Sequence, residues 1–204
     1  RRPPRSTQGV SSAASDVYKR QDQRLTETIM EQFIQPTIQG MAEEGNPYKG
    51  VLYAGLMITP NGPKLIEYNA RFGDPETQVV LPRLSTDLVD IVYNTVTNNL
   101  ENTPIELTDN TAITVVIASK GYPGIFKKGI ELPSLNKFDK QDDILIFHSG
   151  TAKNENENLI SSGGRVLSVT AIGDNVQDCR QKAYNTVEKI NWDKGFYRRD
   201  IGKV

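Results

Sequence analysis

The amino-acid sequence predicts an α/β (α+β) protein with a larger first part at residues 22–100 and a small, mixed β-rich second part at residues 105–204. Three observations predict this fold class. Apolar, β-rich runs occur in both parts, helical periodicity flanks them, and the cluster Asn102-Thr103-Pro104 separates the two parts. Hydrophobic residues make up 37% of the chain and charged residues 24%, a composition typical of folded proteins.

Residues 1–21 differ in composition from the rest of the chain. They hold five basic residues and one acidic residue, are rich in Ser and Ala, and do not begin with Met. A transit peptide has this character, and so does a foreign stretch joined to a truncated reading frame. We favour the second interpretation, and predict a non-native or disordered leader that takes no part in the fold.

The first part begins with a predicted helix and continues with a hairpin. Leu25, Ile29 and Phe33 recur at helical spacing, and Pro36 is expected to end that helix. The runs 51–59 (VLYAGLMIT) and 64–69 (KLIEYN) flank a Pro-Asn-Gly-Pro turn and predict a β-hairpin. A second helix is predicted after Pro82, with Asp87 in its first turn and an apolar stripe formed by Leu84, Leu88, Ile91, Val92, Val96 and Leu100.

The second part is predicted to hold three strands, a polar tip and a closing helix. The strands are expected at 111–119, 144–149 and 165–172, and the run 154–158 (NENEN) reads as a polar loop or hairpin tip. Asp174 or Asn175 is expected to cap the helix. Its apolar face is predicted to contain Val176, Cys179, Ala183, Val187 and Ile190.

Charge, hydropathy and cysteine content exclude several classes of protein. The net charge of −1 gives no field for collecting nucleic acid, so no nucleic-acid partner is expected. No run approaches the roughly 20 apolar residues that span a bilayer, so no membrane partner is expected. The single cysteine, Cys179, cannot form an internal disulfide, which is typical of a cytoplasmic protein.

The segment 66–76, IEYNARFGDPE, is the best candidate for a chemical site. Alternation along a strand predicts that Glu67, Asn69 and Arg71 project to one side, about 7 Å apart in succession, while Ile66, Tyr68 and Ala70 face a core. A carboxylate and an amide oxygen suit Mg²⁺, and an arginine beside them suits phosphate. By pattern alone, a solvated strand face followed by an ordinary turn is the commoner explanation.

A resemblance reverses that weighting. The run 48–78, YKGVLYAGLMITPNGPKLIEYNARFGDPETQ, closely resembles the hairpin of the phosphoribosylamine–glycine ligase family, which is of the ATP-grasp type. The resemblance continues in ASKGYPG (118–124), FHSGT (147–151), GGRVLSVTA (163–171) and YRRDIG (197–202). These segments occur in the family's order over residues 22–203. The resemblance implies that residues 22–100 end an ATP-grasp domain and residues 105–204 form the family's C-terminal domain.

The resemblance also implies a reaction and roles for residues. The family joins glycine to 5-phosphoribosylamine with ATP and Mg²⁺ or Mn²⁺, through a glycyl phosphate, in purine biosynthesis. By position, Glu67 and Asn69 resemble the metal ligands, and Arg71 the catalytic arginine near the transferred phosphoryl group. Asp74 and Glu76 are expected on the substrate side. Leu56 or Met57 is expected to pack against adenine, although a core role fits either residue equally well.

Two other functions stay open at this stage. Another ATP-grasp ligase or carboxylase would use the same Glu-x-Asn-x-Arg strand, although the segments GYPG and YRRDIG disfavour it. A non-catalytic split module would instead bind a partner half. The resemblance further implies that the family's N-terminal half and nucleotide lid are missing partners, so that a chain of this length is expected to be inactive alone.

Overall fold

The computed structural model describes residues 23–203, which form two compact units. Unit 1 comprises the described residues up to 77 together with 84–108, and unit 2 comprises 78–83 and 109–203. The predicted leader at residues 1–21 lies outside the described residues. No helix within the described residues has the length and apolar character needed to cross a membrane.

The first helical region of unit 1 is longer than predicted. It consists of α1 (Gln23–Ile29), a π-helical segment (Met30–Ile34) and α2 (Gln35–Glu43). The prediction that Pro36 ends the helix is wrong, because Pro36 stands in the first turn of α2. Proline lacks an N–H to donate, and it stands where the π-helical hydrogen bonds of residues 30–34 change to the α-helical bonds of α2.

Strands β1 (Tyr53–Thr59) and β2 (Gly62–Asn69) form the predicted antiparallel hairpin, with an irregularity between Gly55 and Leu56. Gly55 pairs with Glu67 and Leu56 with Leu65, so Ile66 is left without a partner. A bulge of this kind breaks the alternation of side chains. The expectation that Ile66 and Ala70 face a core is therefore wrong: Ile66 is 59% exposed and Ala70 is also exposed.

Tyr68 alone of that predicted core face is held against a helix. Its hydroxyl lies 3.0 Å from the Phe33 carbonyl oxygen and 2.7 Å from the Thr37 hydroxyl. The hydroxyl of Thr37 also donates to the Phe33 carbonyl. This polar contact joins β2 to the helical region that begins unit 1.

The predicted second helix begins later than its apolar stripe indicated. After α3 (Thr77–Val80) and a 3₁₀ turn (Leu81–Arg83), the helix α4 spans Leu88–Val96, and a further 3₁₀ turn spans Leu100–Asn102. Asp87 is the N-cap, and its carboxylate accepts from the Val89 amide at 2.7 Å. Leu84 instead forms a bridge with Leu107, because residues 84–86 hydrogen-bond with residues 104–107 before the helix begins.

Unit 2 contains a four-stranded antiparallel sheet in the order β4-β7-β3-β8. The strands predicted at 111–119 and 165–172 are confirmed as β3 (Thr111–Ser119) and β7 (Arg165–Gly173). The hairpin of β5 and β6 carries residues 154–158 at its tip, as predicted. The remaining strands are β4 (Ile144–His148), β5 (Thr151–Lys153), β6 (Leu159–Ser161) and β8 (Gly195–Phe196), and a 3₁₀ turn spans Asn136–Phe138.

Helix α5 (Val176–Ile190) packs on β3 and β7 and completes the core of unit 2. Its predicted apolar face is confirmed: Cys179, Ala183, Val187 and Ile190 are buried, and Val176 packs beside them. Every buried hydrophobic side chain of the described core belongs to unit 2. The single tryptophan, Trp192, lies in this core and donates to the Glu131 carbonyl oxygen at 3.0 Å. Its fluorescence can therefore report the unfolding of unit 2.

The first residue of α5 is preceded by an asparagine cap that we expect to stabilise unit 2. The Asn175 side chain accepts a hydrogen bond from the Asp178 amide at 2.9 Å. Asn175→Ala should lower the free energy of unfolding by about 1 kcal/mol, because it leaves that amide without its partner. Asn185→Ala makes the same chemical change at an exposed position of the same helix, and should cost almost nothing. If urea denaturation shows the same loss of unfolding free energy in both variants, Asn175 does not act as a stabilising cap.

The buried thiol of Cys179 should make unit 2 less stable at alkaline pH. Burial, assisted by the charge of Asp178, raises the pKa of this thiol from an ordinary value of 9.0 to about 11. Between these values the folded state keeps a proton that the unfolded state releases, so stability falls as pH rises from 9 to 11. In urea titrations followed by Trp192 fluorescence, Cys179→Ala should show a shallower decline over this window. If Cys179→Ala leaves the dependence of the unfolding free energy on pH unchanged, the Cys179 thiol does not cause the alkaline loss of stability.

Candidate functional site

One face of the β1–β2 hairpin holds most of the candidate residues. Tyr53 pairs directly with Asn69, and Gly55 pairs directly with Glu67. Directly paired residues of an antiparallel pair share a face, and so do residues two apart in one strand. Glu67 and Asn69 therefore project together beside Tyr53, as the alternation in β2 predicts for this part of the strand.

Glycine at position 55 gives the Glu67 side chain room on that face. A Cβ added to Gly55 would lie 3.3 Å from Cγ of Glu67, a closer approach than most side chains make. The carboxylate of Glu67 is exposed, and Asn69 is half-buried at the last position of β2. The hairpin thus presents one carboxylate and one amide side by side at the end of a strand.

Arg71 does not continue the strand. β2 ends at Asn69, and residues 70 and 71 form a bend. The Arg71 guanidinium is exposed, and its Nη1 donates to the Phe72 carbonyl oxygen at 3.0 Å. Alternation along the strand placed Arg71 on the face of Glu67 and Asn69. That rule does not apply to Arg71, because β2 ends two residues before it.

The loop after the bend folds back on itself and buries part of Glu76. The Thr77 amide and hydroxyl both donate to the Gly73 carbonyl oxygen. A Cβ at Gly73 would stand 2.2 Å from Oε1 of Glu76, so only glycine lets the carboxylate lie there. Oε2 of Glu76 is shielded from solvent and has no hydrogen-bond partner among residues 23–203. Asp74, in the same loop, is exposed.

The negative charges of Glu67 and Glu76 both affect the pKa of Tyr53. Its pKa is raised above the ordinary value, first by burial, then by the negative charge of Glu76 and of Glu67. Like charges near an ionisable phenol disfavour the phenolate. The negative charges of Glu67 and Glu76 therefore both act on the same half-buried phenol, although the two residues are nine positions apart in sequence.

This donor set fits a hard divalent cation. The Glu67 carboxylate and the Asn69 amide oxygen are ligands of the type that Mg²⁺ and Mn²⁺ prefer. The buried Oε2 of Glu76 is a further oxygen atom that the hydrogen bonds of the described residues do not use. Residues 23–203 contain no group of three His, Cys, Asp or Glu that could hold a metal by itself. A cation here would need oxygen ligands from phosphate or water, as Mg²⁺ commonly does.

The two candidate adenine contacts point in opposite directions. The extra residue of the bulge, Ile66, lies in β2, so β1 keeps its own alternation, which places Met57 on the face of Tyr53 and Gly55 and Leu56 on the other face. Met57 is 52% exposed, whereas Leu56 is half-buried. Met57 is therefore the better placed of the two to offer apolar surface beside the carboxylates.

Comparison with known families places the chain in the ATP-grasp class. The model of the ATP-grasp (A) domain of phosphoribosylglycinamide synthetase matches residues 6–77, which include the hairpin and Glu76. The model of the C domain of the same synthetase matches residues 112–204, nearly all of unit 2. The match to the A domain begins at residue 6, within the segment that composition set apart.

Individual relatives agree with both domain matches. The phosphoribosylamine–glycine ligase of Agrobacterium fabrum is 48% identical over 87% of this chain and 41% of its own length. The ligase of Caldanaerobacter subterraneus is 41% identical over 96% of this chain and 46% of its own length. A solved phosphoribosylamine–glycine ligase from Thermotoga maritima is similar with a TM-score of 0.73 and 34% identity, over 88% of this chain and 44% of that chain.

The chain belongs to the phosphoribosylglycinamide synthetase family. It spans about two fifths of the length of the Agrobacterium fabrum relative. The resemblance found in the sequence is confirmed, and the alternative of a different ATP-grasp family is set aside. The alternative of a split module concerns the whole protein and is addressed by experiment below.

Sequence reasoning missed three residues that shape this face. Tyr53 looked like one more apolar member of its strand, and Gly55 and Gly73 looked like ordinary strand and turn glycines. The register of the hairpin gives the first two a partner in the site, and the folded loop gives the third its close approach to Glu76. The signals that the sequence offered were a glycine inside the preceding strand, Gly55, and a glycine four residues after Asn69, Gly73.

Proposed function

We propose that this chain supplies the metal–phosphate face of an ATP-dependent ligase that joins glycine to 5-phosphoribosylamine in purine biosynthesis. The observation that carries the proposal is the pairing of Glu67 and Asn69 with Gly55 and Tyr53 on one hairpin face. The relatives that match across most of this chain are named phosphoribosylamine–glycine ligases, which supports the same reaction. The products are glycinamide ribonucleotide, ADP and phosphate, and a cytoplasmic location belongs to the proposal.

In the proposed reaction, Glu67 and Asn69 would hold a Mg²⁺ or Mn²⁺ ion. The ion, when bound, neutralises charge on the phosphate oxygens during phosphoryl transfer. The glycine carboxylate attacks the γ-phosphorus, ADP leaves, and glycyl phosphate forms. The amine of phosphoribosylamine then attacks the acyl carbon, loses a proton, and phosphate leaves. The residues of this chain position the substrates and neutralise charge on the phosphates. They form no covalent bond with a substrate.

The other candidate residues have supporting roles in the proposal. Arg71, exposed beyond the end of β2, swings from the Phe72 carbonyl to neutralise the transferred phosphoryl group. Asp74 and Glu76 contact substrate from the loop that follows β2. Met57, rather than Leu56, packs against adenine.

A chimeric ligase tests the proposal. Here the matched segment of the Agrobacterium fabrum relative is replaced by the corresponding residues of this chain; we call this protein the chimeric ligase. It should form glycinamide ribonucleotide, detected by mass spectrometry, only when ATP, glycine, phosphoribosylamine and Mg²⁺ or Mn²⁺ are all present. A folded chimeric ligase that binds ATP and makes no product would reject the proposal. Such a result would favour a split, non-catalytic module.

A further inference from the structure

Strand β4 lies at an edge of the four-stranded sheet of unit 2. Within residues 23–203 it pairs with β7 on one side and with no strand on the other. At its start, the Ile172 amide of β7 donates to the Asp143 carbonyl oxygen at 2.9 Å. Because the hydrogen bonds of an antiparallel strand alternate between its two sides, the backbone groups of Ile146 and His148 point away from β7. The open side of β4 therefore offers backbone donors and acceptors to a further strand.

This edge lacks several features that keep sheet edges from pairing. Natural edge strands are commonly protected by Lys, by Pro or by a bulge. The sequence of β4, ILIFH, contains neither Lys nor Pro, and its register against β7 is regular. Leu145, Ile146 and Phe147 are only half-buried, whereas each residue that they pair with on β7 is fully buried. The edge therefore combines open backbone groups with partly exposed apolar side chains, which is the character of a strand that pairs with another chain.

The edge of β4 is complementary to itself when two copies pair in the antiparallel direction. With Ile146 opposite Ile146 of the second copy, the His148 amide would donate to the Ile144 carbonyl oxygen. In this register Leu145 lies opposite Phe147, and isoleucine lies opposite isoleucine on the other face of the sheet. Apolar pairs of aromatic and branched side chains stabilise neighbouring strands. Both copies use the same surface, as a two-fold arrangement requires.

The charges at the two ends of β4 favour the same arrangement. Asp142 and Asp143 precede the strand, and His148 ends it. Asp142 and His148 are both exposed. Antiparallel pairing sets the acidic start of one copy beside the histidine end of the other, whereas parallel pairing would set acid beside acid, which is unfavourable in an interface. The chemistry of the strand therefore selects a second copy of this chain as the partner, and selects its direction.

We propose that the edge of β4 is the surface through which this chain associates with a second copy of itself. The two sheets join edge to edge, about a two-fold axis at Ile146, into one continuous antiparallel sheet with β4 of each copy at its centre. Each copy supplies the backbone partners that the other lacks on this side. The proposal is independent of the proposed function, because it involves only unit 2 and no ligand.

Sedimentation velocity of the 204-residue chain tests the association. With rising concentration, the 22.7 kDa monomer should convert to a dimer of twice that mass. His148→Pro removes the outward N–H of an exposed residue, and should weaken association by at least about 10-fold, because two-fold symmetry loses that bond twice. His148→Ala keeps the N–H and is the matched control, which should associate within about threefold of the parent. The Trp192 fluorescence transition in urea should be the same in both variants, since unit 2 stays folded.

Cysteine pairing tests the register without a proline. Positions 145 and 147 of the two copies would form a non-hydrogen-bonded pair, with Cα atoms about 4.5 Å apart, a separation that a disulfide spans. When Leu145→Cys and Phe147→Cys chains are mixed with oxidised glutathione, the 145–147 disulfide should form in about 10-fold excess over the 145–145 and 147–147 disulfides. The natural Cys179 is buried. Ile125→Cys, at a side chain that is 99% exposed, replaces Phe147→Cys in the control mixture and should give no such excess.

Each other outcome overturns the proposal. A chain that stays at 22.7 kDa at every concentration does not associate. Association of equal strength in His148→Pro and His148→Ala would mean that a different surface is used. Equal amounts of the three disulfides would exclude the antiparallel register. Slow reaction of both introduced cysteines with a maleimide in a monomeric chain would show that a segment of the chain itself covers the edge. If His148→Pro fails to fold, the disulfide ratio alone decides.

Discussion

Replacing Glu67 by glutamine should lower kcat/KM of the chimeric ligase by about 100-fold or more, the size of effect seen when one preorganised charge is removed from a phosphoryl-transfer site. Glutamine keeps the shape of the side chain and one oxygen ligand, but it removes the negative charge that attracts the divalent cation. The loss should be partly relieved by a higher Mg²⁺ concentration, because weaker metal binding is its cause. Initial rates of phosphate release at several Mg²⁺ concentrations measure both effects.

Glu101→Gln is the matched control for this substitution. Glu101 is an exposed carboxylate in the same unit, outside the β1–β2 hairpin. Its replacement should change the rate less than about twofold, as expected for a surface position. A similar loss in both variants, or a loss in Glu67→Gln that is independent of Mg²⁺, would contradict the assignment of Glu67 as a metal ligand.

Replacing Leu167 by alanine should lower the free energy of unfolding of unit 2 by about 2–5 kcal/mol. Leu167 is fully buried on β7, which lies between β3 and β4 in the sheet. The truncation removes apolar contacts and leaves a cavity that a central strand cannot easily close. Urea denaturation followed by the fluorescence of Trp192 measures the change in the unit that contains both residues.

Leu107→Ala is the matching control for the core substitution. Leu107 is 47% exposed in unit 1, so its truncation should leave the Trp192 transition within about 0.5 kcal/mol of the parent. If the two leucine variants shift that transition equally, the core of unit 2 is not organised around β7 as the structure indicates.

The fold predictions that were confirmed came from segments with regular hydrophobic periodicity. The strand at 111–119 and the closing helix 176–190 have long, uninterrupted patterns, and both were located to within a residue. Pro36 was misjudged because its effect depends on whether it stands inside a helix or in a first turn, and composition does not reveal the π-helical segment before it.

The site was predictable only where the strand is regular. Glu67 and Asn69 share a face because alternation holds between them. Ile66 escaped the same rule because a bulge is set by how the two strands pair, and that pairing is a property of the folded hairpin. Arg71 escaped it because the strand ends two residues earlier. The unpartnered oxygen of Glu76 is a consequence of loop closure on Gly73, which no local pattern indicates.

A change of metal preference tests the central claim most directly. Cysteine at position 67 would offer a thiolate, which prefers Cd²⁺ to the hard ion Mg²⁺. In the chimeric ligase, Glu67→Cys should raise the ratio of activity with Cd²⁺ to activity with Mg²⁺ by about 10-fold or more over the parent, while Glu101→Cys leaves that ratio unchanged. If the ratio in Glu67→Cys equals that of the parent, Glu67 does not touch the metal, and the assignment of this hairpin as the metal–phosphate face is wrong.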